Sequence, residues 1–444
     1  MANHVELNDE FLRAIQVLEY SKDHVFITGK AGTGKSTLLQ YFREHTTKNV
    51  AILAPTGVAA VNIQGQTVHA FFRFKPDITP ERVAQIRLRR EDRELFEALD
   101  AVLIDEISML RADVLDCIDC FLRRFGKNPK KAFGGIQMIM IGDLFQLPPV
   151  VTRGEEHVFR EVYASPYFFD SKVFQNFSPE YIDLEKIYRQ QDDAFIELLN
   201  ALRHDQLTDD HLSRLNERCR PDFFPQDDDF YVYLTTTNAI ADRINQEQLR
   251  RLEGDSFSFQ GRVEGKFEER TLPTKEFLEL KSGAQVMLLN NDPSGQWVNG
   301  SIGKVLSVAE DLSATDIVEI ELEDRRIVEV GPFTWEMFRF RYNEETRRLE
   351  SEPTGSFVQY PLRLAWAVTI HKSQGKTFSK VILDIGQGAF AHGQTYVALS
   401  RCTRLEGIVL KRPIRQKDII VDLRVVHFIE QLEERILQTK KISL

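Results

Sequence analysis

The run Gly29-Lys30-Ala31-Gly32-Thr33-Gly34-Lys35-Ser36-Thr37 fits the spacing G-x-x-x-x-G-K-[S/T] in full. Its neighbours decide what the match means. His24-Val25-Phe26-Ile27-Thr28 has the apolar, β-branched and aromatic make-up of a short strand, and Leu38-Leu39 with Tyr41-Phe42 recur behind the loop at helical spacing. A glycine-rich loop between strand and helix is a phosphate cradle: backbone N–H groups wrap the anion, and the helix N-terminus adds partial positive charge. Gly29, Ala31, Gly32, Thr33, Gly34 and Thr37 would line it, Lys35 would reach the β- and γ-phosphates of a triphosphate, and the Ser36 hydroxyl would ligate Mg²⁺. An αβ turn that carries Lys-Ser by chance is the alternative, and the flanking strand and helix weigh against it. The chain is thereby committed to an α/β fold.

Further strands keep the rhythm. Asn49-Val50-Ala51-Ile52-Leu53-Ala54 suits a buried parallel strand and closes on Pro55-Thr56-Gly57. Val58 to Ile63 begins a helix, and Glu81 to Leu99 reads as one charged helix leading back to the sheet. Ala101-Val102-Leu103-Ile104 ends in Asp105-Glu106, and Ile136 to Ile141 ends in Gly142-Asp143-Leu144-Phe145-Gln146-Leu147-Pro148-Pro149. Carboxyl ends of strands are where a doubly wound sheet places its chemistry. Asp105 would hold Mg²⁺ directly or through water, and Glu106 would polarise the attacking water. A carboxylate pair at a helix N-terminus is the bland reading, worth on the order of a few tenths of a kcal/mol; the loop upstream favours catalysis. Gln146 could sense the γ-phosphate or be an ordinary loop amide. Ahead of the loop, Glu6 to Tyr20 reads as an amphipathic helix with Phe11, Ile15 and Leu18 on one side and Asn8 or Asp9 as its cap.

At 444 residues the chain exceeds one nucleotide domain and should hold roughly two to four. A second α/β pattern begins after about residue 180, with Phe230-Tyr231-Val232-Tyr233-Leu234 as a strand and Thr235 to Asn238 as a capping turn. From about 272 to 359 the chain is strand-rich and punctuated by Asp292-Pro293-Ser294-Gly295 and Asn299-Gly300, which reads as a small β-barrel inserted into the second lobe. Trp366 to Ile370, Val381 to Asp384 and Ile408 to Leu410 resume the α/β rhythm, and a last helix occupies about 421 to 440. Arg189 and Arg401 could stabilise transition-state charge from that lobe or be surface arginines.

Composition bounds the rest. The net charge of −10 argues against a protein that coats nucleic acid indiscriminately; Arg82 to Arg93 and His371-Lys372 with Lys376 are local basic clusters, which could form a groove or be solvated helix faces. No 18-residue apolar run suggests a membrane span, and the first residues lack the basic and apolar regions of a signal peptide, so a cytoplasmic, reducing compartment is expected. Cys117, Cys120, Cys219 and Cys402 do not make a disulfide framework, and the Cys117/Cys120 pair reads as helix lining rather than a metal site.

The motifs come in a telling order: Gly32-Thr33-Gly34-Lys35-Ser36, Ala54-Pro55-Thr56-Gly57-Val58-Ala59-Ala60, Ile104-Asp105-Glu106-Ile107-Ser108-Met109 and Gly142 to Pro149. After them stand Thr369-Ile370-His371-Lys372-Ser373-Gln374-Gly375-Lys376-Thr377-Phe378 and Val397-Ala398-Leu399-Ser400-Arg401. This order resembles the Pif (petite integration frequency) DNA helicases of superfamily 1B, which also holds the RecD-like enzymes. Glu106 to Arg124 is similar to the segment that separates the Pif group from its RecD-like relatives. The resemblance implies two RecA-like P-loop NTPase lobes, with lobe 1A over 1–63 and 78–180, a wedge subdomain over 64–77, lobe 2A over 181–271 and 360–412, an SH3-like β-barrel over 272–359 and a C-terminal helical segment over 413–444. It implies ATP-dependent 5′ to 3′ translocation on single-stranded DNA with Mg²⁺, unwinding of junctions, forks, RNA–DNA hybrids and G-quadruplexes, and a role in genome maintenance, repair and recombination. A bacterial-type, nucleoid-associated protein, monomeric when free, is expected. Catalytic residues by resemblance are Lys35, Asp105, Glu106, Gln146, Arg189 and Arg401, with Gly375 beside the nucleotide. A RecD-like subunit of a repair complex and an ATP-switched single-strand clamp are the alternatives.

For DNA, Pro55-Thr56-Gly57 offers N–H and hydroxyl groups suited to backbone phosphates. Thr67, His69 and Phe72 combine polar donors with an aromatic face, where stacking is worth ~1–3 kcal/mol per base. Core packing is the alternative for Phe71, Phe72 and Phe74. His371, Lys372 and Ser373 would hold the backbone from the second lobe. One departure stands out: the family's adenine-reading Leu-x-x-x-Gln is absent, since Leu7 is followed four residues on by Phe11, and Gln16 is either a substitute or a helix-surface glutamine.

Overall fold

Strands that are apolar on both faces have to be covered on both faces. Val25–Gly29 (β1), Val50–Ala54 (β2), Gln66–Thr67 (β3), Ala101–Ile104 (β4), Gln137–Ile141 (β5) and Glu180–Leu184 (β6) form one six-stranded sheet in the order β3-β2-β4-β5-β1-β6. Its pairings are parallel, with Val25 opposite Ile139, Ala51 opposite Val102 and Ala101 opposite Gln137. The computed structural model describes residues 8–152, 155–190, 192–226, 228–267, 271–310, 316–386, 388–389 and 391–442.

The described residues of Ala2–Tyr188, Glu336–Gly355 and Asp422–Leu444 form one compact unit, and those of Arg189–Trp335 and Ser356–Val421 another. The first holds the six-stranded sheet. Its leading helix, Asp9–Tyr20, is capped by Asn8, whose side chain accepts from Phe11 N, and buries Phe11, Ala14 and Leu18. The part of that expected helix before residue 8 lies outside the described residues. Ala112–Phe125 is a helix with Cys117 buried and Cys120 half-buried, both free thiols, and among the described residues no cluster of three or more His, Cys, Asp or Glu could hold a metal ion.

The expected single helix over Glu81 to Leu99 is instead two, Pro80–Val83 and Arg90–Ala98. Arg124, forty residues on, donates to the carbonyls of Val83 and Ala84, the acceptors a continuing helix would use itself. Residues 64–77 join this unit's sheet and core: Leu53 pairs with Gln66 and Ala54 with Thr67. Two segments reach it from the far half of the chain. Around the tip of the hairpin made by Phe333–Asn343 and Arg348–Gln359, Leu349 N donates to Asn49 Oδ1 at 2.9 Å and Phe340 meets Phe71 edge to face at 5.8 Å. In the last helix, Leu423–Ile442, Phe428 stacks on Phe169 with ring centroids 4.3 Å apart.

The second unit has its own parallel sheet, in the order Ala367–Thr369, Val232–Thr235, Val381–Asp384, Ile408–Leu410. Thr237 caps the helix Asn238–Arg251 by accepting from Ile240 N, as its capping-turn sequence predicts. The strand-rich insert is antiparallel. Five strands run in the order Ile327–Val330, Asp316–Leu322, Ile302–Glu310, Gln285–Leu288, Leu362–Leu364, around a core that includes Leu278, Leu280, Val286, Val305, Val318 and Ile320.

Candidate functional site

The phosphate loop needs its glycines. A Cβ on Gly29 would stand 2.5 Å from Thr33 Oγ1 and 2.8 Å from Leu184 O, and Gly34, just before the helix Lys35–His45, has a φ of +87°. Thr33 Oγ1 donates to Lys30 O at 3.0 Å, and Lys35 Nζ donates to Gly29 O at 2.7 Å and Lys30 O at 2.9 Å, so the loop holds its ammonium against its own carbonyls. Ser36 and Thr37 are exposed at the first turn of that helix.

Next to β1 in the sheet lies β5, and next to β5 lies β4. Asp105 follows β4, with its N–H on Leu53 O at 2.9 Å. Burial raises its carboxyl above the usual range, and the Lys35 ammonium is close enough to oppose that shift. Glu106 has a φ of +50°, a left-handed conformation that costs a non-glycine residue about 1–3 kcal/mol and is held here by the turn Ile107–Met109. After β5, Gln146 Nε2 donates to Asp143 Oδ2 at 3.2 Å, and Asp143 Oδ1 accepts from Phe145 N at 3.2 Å. Asp143 is fully buried and positions Gln146; sequence reasoning passed over it, although it follows Gly142 at a strand's carboxyl end. Gln16 is exposed on the Asp9–Tyr20 helix, and Leu7 lies outside the described residues.

Farther along the same sheet edge stand the first DNA candidates. Thr56 caps Gly57–Asn62 by accepting from Ala59 N at 3.3 Å, and Thr67 caps Val68–Phe72 by accepting from Ala70 N at 3.2 Å. Because β2 and β3 are paired neighbours, these two hydroxyls end adjacent strands, with Pro55 and Gly57 partly exposed beside them. His69 is half-buried, which lowers its pKa, with Asp113 and Arg111 acting on it in opposite directions. Phe72 corrects the sequence reading. It is 0% exposed, parallel to Phe74 at 5.4 Å and edge-on to Phe121 at 5.3 Å, so it packs the core and offers no face to a base. Phe71 and Phe74 are buried with it.

In the second unit, His371 and Lys372 are exposed and Gly375, with a φ of +73°, is exposed beyond them. Ser373 is the second correction: at 0% exposure its hydroxyl donates to Ile370 O at 2.7 Å, so it shapes the loop instead of reaching a phosphate. Arg401 is 1% exposed. Its Nε donates to Val397 O and its Nη2 to Ser400 Oγ, both at 2.9 Å, and its Nη1 to Ser373 O at 3.4 Å, which braces the His371–Ser373 loop on the helix Gln394–Leu399. Arg189 Nη1 and Gln190 Nε2 both donate to Ser400 O, at 3.4 and 3.1 Å, and burial lowers the Arg189 pKa. Lys376 Nζ bonds Asn299 Oδ1 in the insert, and burial pushes its amine down to about 7. Among the described residues no helix is long and apolar enough to cross a membrane.

The family model described as PIF1-like helicase matches residues 7–211. The ATP-dependent DNA helicase Pif1 of Bdellovibrio bacteriovorus is 32% identical over 97% of this chain and 93% of its own length. Human ATP-dependent DNA helicase PIF1 is 34% identical over 91% of this chain, which spans 60% of that longer protein. A Bacteroides Pif1 crystallised with ADP-AlF4 is 35% identical, covers 97% of this chain and 98% of its own, and superimposes with a TM-score of 0.89; bound to ssDNA, with the same coverage of this chain, it does so at 0.68. With its phosphate loop, its Asp105-Glu106 strand end and its two parallel sheets, the chain belongs to the Pif1 family of ATP-dependent DNA helicases.

Proposed function

We propose that this helicase hydrolyses ATP to move 5′ to 3′ along single-stranded DNA and to separate the duplex or folded DNA ahead of it. The observation that carries the reading is the common edge of the six-stranded sheet. Lys35, Asp105, Glu106 and Gln146 follow β1, β4 and β5, while Thr56 follows β2 and Thr67 ends β3. Strand and nucleotide would thus meet one rigid edge.

In this reading Lys35 draws in the β- and γ-phosphates, Glu106 takes the proton of the attacking water, and Gln146, steadied by Asp143, orients that water. Ser36 and Asp105 offer the hard oxygen donors that Mg²⁺ takes, and a carboxyl whose burial disfavours its charge gains from a cation. The ion would neutralise charge on the phosphate oxygens. Arg189 and Arg401 stabilise the transition state, and Arg401 relays nucleotide state to the DNA side through Ser373 O. Gly375 stands beside the nucleotide. Pro55, Thr56, Gly57, Thr67, His69, His371 and Lys372 hold the DNA backbone. The Bacteroides relative solved with ssDNA supports that substrate. Residues 64–77 keep the strand-separating role as part of the first lobe, and the antiparallel insert keeps the SH3-like role.

Partial duplexes with a 5′ or a 3′ single-stranded tail test activity and polarity together. Unwinding should need ATP and the 5′ tail, ATP hydrolysis should rise steeply with single-stranded DNA, and Lys35→Ala should abolish both. ATP hydrolysis that ignores DNA, or DNA binding that follows ATP without unwinding, would replace the motor with a clamp.

A further inference from the structure

Burial of Phe72 leaves the base-stacking face unassigned, and the second unit carries an aromatic ring in the right condition. On the strand Phe277–Lys281, Leu278 and Leu280 point into the core of the insert, and the strand's alternation turns Phe277 outward at 66% exposure. The ring lines a cavity of about 400 Å³ together with Asn238, Lys275, Arg363 and Lys372. Lys372 belongs to the exposed His371-Lys372 pair already assigned to the DNA backbone, so the cavity continues that contact. Arg363 is anchored by donation from Nη2 to Pro273 O at 2.5 Å.

Charge narrows what the cavity can take. Asp242, Glu276 and Glu279 line it too and offset its cations, so it does not attract phosphate by net charge. A large exposed aromatic face beside amides and the exposed Lys275 and Lys372 suits a flat, neutral ring with a phosphate next to it. Its volume is of the size that small ligands occupy.

We propose that one nucleotide of the bound strand is seated here, its base stacked on Phe277 and the adjoining phosphate on Lys372. The assignment rests on the single-strand translocase reading and adds a base-positioning residue in the insert. Affinity for a deoxythymidine oligomer, and for a series of the same oligomer with one abasic site moved along it, tests the contact. Phe277→Ala should weaken binding of the intact oligomer roughly 5- to 150-fold, the range expected for one lost base stack. The wild type should show one abasic position of strong effect that Phe277→Ala no longer distinguishes. Phe277→Trp should restore affinity, and its fluorescence should be quenched by the oligomer. Wild-type affinity in Phe277→Ala, or an equal loss for intact and fully abasic strands, would overturn the proposal while leaving the translocase reading intact. A wild-type protein that binds no single strand would overturn both.

Discussion

Arg401 is the side chain on which sequence motif and structure make different demands. As a charge for the transition state it would be dispensable to the fold; as built, it is a buried tie. Two of its hydrogen bonds, to Val397 O and Ser400 Oγ, measure 2.9 Å, and the third, to Ser373 O, is longer at 3.4 Å. A hydrogen bond from a charged donor contributes about 1.5–3 kcal/mol. Counting only the two short ones, Arg401→Ala should cost the second unit about 3–6 kcal/mol. For a unit of this size that is a drop of roughly 6–24 °C in melting temperature. Arg401→Lys keeps the charge but cannot span three acceptors, and should recover only part of the loss. Both variants should lose ATP hydrolysis. Both should also bind single-stranded DNA more weakly, because the loop presenting His371 and Lys372 loses its brace. Melting followed by near-ultraviolet circular dichroism, with DNA affinity by fluorescence anisotropy, reads both effects. Unchanged melting and DNA affinity beside lost hydrolysis would refute the tie and leave Arg401 a purely nucleotide-facing group.

Other outcomes follow from burial and charge. Phe72→Ala should destabilise the first unit by about 3–5 kcal/mol in urea titration, while DNA affinity at low temperature stays near wild type; loss of affinity with an unchanged titration would return Phe72 to the surface. Burial raises the Asp105 carboxyl, so its ionised form burdens the ligand-free fold. Asp105→Asn should therefore melt higher than wild type near neutral pH, and the gain should fade as pH falls towards about 3.9, where the carboxyl is protonated folded or unfolded. Lys376 has the opposite sign: with its amine at about 7, stability should decline as pH drops from the unfolded value near 10.4 through 7, and Lys376→Met should flatten that slope in pH-dependent melts.

What could be read from the chain alone was whatever short-range chemistry decides. The phosphate loop requires glycines within nine residues of one another, Asp105-Glu106 directly follows an apolar strand, and Asn8 and Thr237 cap the helices that begin after them. Such features depend on neighbours along the chain, and periodicity reports them. Burial and partnership depend on residues far apart in sequence. Phe72 has a donor-rich local setting, and only Phe96 and Phe121 closing over it make it core. Ser373 was expected to hold DNA, yet Ile370 takes its hydroxyl and Arg401 grips its carbonyl. The expected helix over Glu81 to Leu99 is two helices, with Arg124 from far along the chain bonding the carbonyls of Val83 and Ala84 between them, and residues 336–355 join the unit of the phosphate loop. Phe277 carried no motif at all; the alternation of one short strand and the cavity beside it gave the ring an exposed face. The phosphate-loop motif and the apolar strands around it were legible in the chain, because backbone conformation and hydrophobic period are local. Which aromatic rings and which hydroxyls stay exposed followed from tertiary packing, because exposure is a property of what packs on top.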